Sequence, residues 1–129
     1  MMEEIYYKKT LVGIRVRSLK NGSNPITRDE EPLQLLGLKQ SKGHYFLPHR
    51  HKPIKRTTDH LQECLIVRKG KVKVDIYAPG DVKFKSIILK EGELFILLNG
   101  GYGIHVLEDA ELFELKNGPF MGNDKIIIT

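Results

Sequence analysis

Two histidines one residue apart, His49 and His51, are the residues of this chain best suited to chemistry. They lie in Gly43-His44-Tyr45-Phe46-Leu47-Pro48-His49-Arg50-His51. On a strand, alternate residues point to one face, so Tyr45, Leu47, His49 and His51 share a side and Arg50 takes the other. Two imidazoles beside apolar neighbours suit a divalent transition metal such as Zn, Ni, Mn, Fe or Cu. A second ligand from the next residue but one adds little ordering cost. Glu63 offers a carboxylate from the following apolar run, where Glu63, Leu65 and Val67 share a face. The alternative is a pair of solvent-facing histidines on a polar strand end, and an H-x-H pair alone does not decide between them.

Alternation with period two dominates the segments that must position these groups. In Lys71-Val72-Lys73-Val74-Asp75-Ile76 every second residue is apolar, the pattern of a half-buried strand. Val82-Lys83-Phe84-Lys85 repeats it, while Cys64-Leu65-Ile66-Val67 is apolar on both faces, as in a strand covered on both sides. Turn residues at Lys69-Gly70, Pro79-Gly80-Asp81, Glu91-Gly92, Asn99-Gly100-Gly101 and Glu108-Asp109 allow a reversal after each run. Further strands are predicted over 9–17, 33–39, 43–51, 94–98, 104–107, 111–116 and 125–128. The sum is an all-β chain, a small sandwich or barrel. Residues 20–32 and 52–61 read as polar connections. Residues 1–32 form an N-terminal strand and loop, and 33–129 form the barrel, within one structural domain.

The spacing of the histidines resembles the first motif of the cupin superfamily, small jelly-roll β-barrels that bind metals. Gly43, five residues, His49, Arg50 and His51 match its first half, and Glu63, six residues and Gly70 match its second. The chain departs in the gap from His51 to Glu63, eleven residues where the family has three or four; a surface loop absorbs such an insertion at modest entropic cost. In the second motif Gly92 and Gly100 fit and Leu98 takes the proline place. Gly100-Gly101-Tyr102-Gly103-Ile104, Leu107-Glu108-Asp109 and Glu114-Leu115-Lys116-Asn117-Gly118-Pro119-Phe120 are similar to phrases of small bacterial cupins, with Tyr102 where those carry histidine. The resemblance implies metal ligands His49, His51 and Glu63. The third imidazole place falls to His105 by a slip of register, to Tyr102 as a weak ligand or lining residue, or to nothing if the site has decayed. A regular strand puts Tyr102 and His105 on opposite faces, and the nearby glycines permit a bulge. His105 is the favoured ligand of the three.

The resemblance further implies a small-molecule pocket, with a sugar or nucleotide sugar as the expected ligand, and isomerisation or epimerisation as the first reaction class, with Tyr102 or Glu63 handling a proton. Two alternatives stay open: a metal-free sugar ketoisomerase using His49 and His51, and a non-catalytic ligand-binding cupin. Cys64 reads as a small buried hydrophobe. Arg56 and Thr57 offer a basic lip for an anion, though solvent-facing polar residues are the commoner outcome.

Composition narrows the classes. The chain has 129 residues, 21 Lys and Arg against 16 Asp and Glu, a formal charge of +5, and one cysteine. One domain fits this length. The single cysteine excludes an intrachain disulfide and suits a cytoplasmic location. No apolar run approaches the ~20 residues of a membrane-spanning helix, and the start lacks a basic region followed by an apolar stretch, which predicts no signal peptide. Lysines are spread along the chain rather than gathered in a stripe, so neither nucleic acid nor membrane is an expected partner. A homodimer is expected, through strand addition by the N-terminal strand.

Overall fold

Where apolar and charged residues alternate, each strand buries one face, and the sheet that results must curl to enclose it. The computed structural model describes residues 1–129. Its eight strands are β1 (Met2–Tyr7), β2 (Thr10–Val16), β3 (Gly22–Pro25), β4 (Leu36–Lys39), β5 (Glu63–Ala78), β6 (Val82–Lys90), β7 (Leu94–Leu97) and β8 (Gly101–Lys116). There is no helix, and so none long and apolar enough to cross a membrane. A six-stranded sheet runs β1-β2-β7-β5-β6, with β8 on the other edge of β5, and β3 and β4 form a separate hairpin. All pairings are antiparallel. This is the all-β, small-barrel class that the alternation predicts, curled into a half-barrel.

The curl originates in β5. Its first part pairs β7, from Glu63↔Leu97 to Ile66↔Leu94, and its second part pairs β6, from Lys71↔Lys90 to Ala78↔Val82. Along its other edge β8 follows the whole length, from Glu63↔Lys116 to Tyr77↔Gly101, with register shifts between Val67 and Val72. Gly70 sits in that irregular stretch with φ +87°, and a Cβ there would lie 2.2 Å from the Asp109 carbonyl oxygen. The inner face is lined by Val12, Leu65, Val67, Val72, Val74, Ile76, Leu89 and Phe95, all at most 1% exposed. The opposite face of β2, β5 and β7 buries Ile14, Val16, Cys64 and Ile96 with Ile26, Leu33 and Leu35 of the connection and hairpin. This two-sided burial explains the unbroken apolar run at 64–67.

On the far side of the sheet, β1 comes back against β6. Arg15 donates from Nε to Glu3 at 2.8 Å and from Nη1 to the Ile88 carbonyl of β6 at 3.2 Å. The Tyr7 and Phe84 rings meet with centroids 5.1 Å apart. The Arg15 guanidinium, hydrogen-bonded to Glu3, holds the Glu3 carboxyl below its usual range.

The structure departs from the sequence expectations in five places, the first being the 20–32 connection, where Gly22–Pro25 forms β3 by pairing with β4. Segment 43–51 is not a strand and is exposed throughout, because no sheet edge meets it and Pro48 lacks an N–H for a ladder. Segment 125–128 forms no strand. The runs 104–107 and 111–116 join into the single strand β8, which bends through the Glu108-Asp109 turn signal instead of reversing there. At the N-terminus, β1 adds a strand ahead of the expected one.

Replacing Gly70 by alanine is expected to destabilise the fold by about 2 kcal/mol or more, since positive φ and a backbone clash act together. Gly80→Ala has φ +89° but open space around its Cβ and should cost only about 1 kcal/mol. Urea denaturation midpoints of the two variants check the ordering.

Candidate functional site

Because the sheet curls, the two ends of β8 meet over the inner face. Tyr102, near the start of β8, lies opposite Ile76 in the ladder, so it points inward with Val74 and Ile76. Its ring stands edge-on to Phe95, centroids 6.3 Å apart, and its hydroxyl donates to Glu114 Oε1 at 2.9 Å. Glu114 is twelve residues further along the same strand. Glu63, at the start of β5, borders the same phenol. Lys116 closes the group, with Nζ 3.7 Å from Glu63 Oε1 and 4.0 Å from Glu114 Oε2.

Burial pushes the Tyr102 hydroxyl far above the usual phenol range, and the adjacent Glu63 and Glu114 carboxylates push it further. A phenol so placed keeps its proton at physiological pH and serves as a hydrogen-bond donor. Two carboxylates beside it accept hydrogen bonds, and Lys116 adds one cation. Sequence reasoning singled out Tyr102 and Glu63, and the structure brings these two together. It missed Glu114 and Lys116, although the alternation Leu112, Glu114, Lys116 puts both on the Leu112 face, which packs against the inner core.

The other three expected metal ligands, all histidines, lie elsewhere. His49 and His51 are in the exposed irregular segment, with ring centroids 5.5 Å apart. His49 Nδ1 is 2.9 Å from the Leu47 carbonyl, which makes it the donor nitrogen and leaves Nε2 free. His105 pairs with Lys73 in the ladder and points to the outer face, opposite to Tyr102. There its Nε2 lies 2.6 Å from Asp75 Oδ2, and Ser86 donates to Asp75 Oδ1 at 2.6 Å. No group of three or more His, Cys, Asp or Glu side chains is arranged to hold a metal. As placed, His49, His51, Glu63 and His105 do not fit one coordination sphere.

Two clefts lie away from the Tyr102 cluster. One, of about 250 Å³, is lined by Glu30, Pro32, Thr57, Thr58, Asp59 and His60. The other, of about 160 Å³, runs between β2 and the β3–β4 hairpin. Cys64 is buried, and burial pushes its thiol up to about 11, which keeps it unreactive.

Asp75 gives the outer face a pH dependence. Its side chain is only 7% exposed, but Ser86, His105 and Lys83 cover it with polar groups. Hydrogen bonds from Ser86 and then His105 hold its carboxyl well below the usual carboxylate range. A depressed folded-state pKa stabilises the fold at every pH above the unfolded value of about 3.9, and that gain is lost as pH falls below it. Asp75→Asn is therefore expected to lower the thermal midpoint at pH 7 and to flatten its fall between pH 4 and pH 2, read by circular dichroism melts.

No family model matches the chain, and neither curated proteins nor solved structures give a match.

Proposed function

We propose that this protein is a cupin-like barrel that binds a small polyhydroxylated molecule, a sugar or sugar derivative, on its concave face. The observation that carries this reading is the Tyr102 hydroxyl held between the Glu63 and Glu114 carboxylates beside Lys116. Sugar hydroxyls both donate and accept, which matches a fixed donor flanked by acceptors. The Tyr102 and Phe95 rings give an apolar surface for the sugar's C–H face. Tyr102 keeps its proton and neither His49 nor His51 touches the cluster, so a base acting on the bound molecule would be Glu63 or Glu114 rather than an imidazole.

Titration with neutral sugars, sugar phosphates and nucleotide sugars, followed by calorimetry and amide shift mapping, tests the reading. A ligand from this panel should shift amides of β5 and β8 around Glu63, Tyr102 and Glu114. Tyr102→Phe and Glu63→Gln should each weaken it about tenfold to a hundredfold, the loss of one hydrogen bond to a charged partner. Absence of binding across the panel, or shifts confined to other surfaces, would overturn it.

A second reading rests on the adjacent His49 and His51 rings, one already oriented by the Leu47 carbonyl with its Nε2 free. A ligating histidine is commonly held in this way. In this reading the pair binds a divalent ion such as Zn or Ni, and a third donor reaches it only after the segment moves. Zn titration should then broaden or shift both imidazole resonances and lose its effect in His49→Ala. Unchanged imidazole resonances at excess Zn would refute it.

A further inference from the structure

From the shape of the sheet we infer that two copies of this chain associate by reciprocal strand exchange, segment 43–51 of each copy adding to the outer edge of the other's β8. This stands apart from the ligand reading and uses neither Tyr102 nor Glu114.

Three observations point to it. First, β8 is sixteen residues long and hydrogen-bonds along one edge only, to β5. Long open edges invite another strand unless something covers them. Apolar side chains crowd this one, with Val106, Leu107, Phe113 and Leu115 all exposed. Second, segment 43–51 has the alternation of a strand but no partner, and it exposes Tyr45, Phe46 and Leu47. Pro48 fits this role, because proline is tolerated in an edge strand whose nitrogen faces outward. The basic side chains next to it would protect the newly formed edge.

Third, the charges are complementary. Segment 39–56 carries Lys39, Lys42, Arg50, Lys52, Lys55 and Arg56 with no acidic residue, and none of these cations is in an ion pair. Outside the Tyr102 cluster, β8 carries Glu108, Asp109 and Glu111 and no lysine or arginine. Arg68 and Lys69 pair with Glu111 and Lys71 with Glu108, while Asp109 has no ion-pair partner. Two β8 edges laid against each other would bring like charges together, whereas the basic segment on the acidic edge would not. Exchange in both directions closes a twofold dimer with no surface left over to build a filament.

Charge reversal tests the pairing. The parent protein should run as a dimer in light scattering at micromolar concentration and shift towards monomer in high salt. Asp109→Lys/Glu111→Lys and Arg50→Glu/Lys52→Glu should each be monomeric with unchanged far-ultraviolet circular dichroism. An equimolar mixture of the two should recover the dimer mass, since both exchanged contacts become attractive again. A monomeric parent, or a dimer that survives either reversal, overturns the proposal. Should a variant fail to fold, hydrogen exchange on the parent decides. Protection of amides 43–51 that grows with protein concentration supports exchange, and protection that is absent or independent of concentration overturns it.

Discussion

The inner face exists because one strand changes neighbours partway along. On a single edge, β5 meets β7 over its first residues and β6 over its last, and it bends between them, where its register with β8 slips. Gly70 makes that bend possible, with a positive φ and the Asp109 carbonyl packed where a side chain would stand. The effect on β8 is large. Twelve residues of straight strand span about 40 Å, yet Tyr102 and Glu114, twelve residues apart, are hydrogen-bonded at 2.9 Å. The polar cluster is a product of curvature, and Phe95 is the side chain over which the curve closes. On β2, opposite Leu97, Gly13 leaves the space that the Phe95 ring occupies, for a Cβ there would lie 2.3 Å from Cζ.

The same strand pair holds two carboxylate environments of opposite character. On the inner face, Glu63 and Glu114 crowd a phenol that is also buried, and every effect named there raises its pKa. On the outer face, Asp75 sits under Ser86, His105 and Lys83, donors and cations that favour its charge. Alternation alone sorts these groups, since Asp75 lies between Val74 and Ile76 and Tyr102 lies opposite Ile76. A carboxylate on one face steadies the sheet, while those on the other flank the Tyr102 hydroxyl and Lys116.

Much of this was legible in the residues, and what was not has a physical reason. Period-two runs located β6 and the second half of β5, because burial of one face is a local property of a strand, while β7 and residues 64–67 of β5 are apolar throughout. The Pro79-Gly80-Asp81 turn was equally local, with both Gly80 and Asp81 at positive φ. Segment 43–51 shows where pattern fails. It alternates like a strand, but a strand also needs an edge to pair with, and that depends on the rest of the chain. The third-ligand question turned on whether β8 bulges near its glycines. It does not: the register with β5 is unbroken from Tyr102 to Val106, so His105 points outward with Lys73. Tyr102 and Glu63 could be named individually, but their meeting depends on the bend at Gly70, and Glu114 and Lys116 were overlooked for the same cause.

The protonation of Tyr102 also constrains what its neighbours can accept. In the free protein the Tyr102 hydroxyl donates to the Glu114 carboxylate, so a ligand that accepts from the phenol instead preserves the number of hydrogen bonds within the cluster only if it also donates to Glu114. A carbonyl or an ether oxygen fails that test, because it accepts without donating. An ammonium fails in the other direction, since it cannot accept from the phenol. A hydroxyl satisfies both, accepting from Tyr102 and donating to Glu114, and a second hydroxyl on the next carbon can donate to Glu63. Adjacent hydroxyls replace each of these hydrogen bonds, which is the physical basis of the polyol reading proposed above.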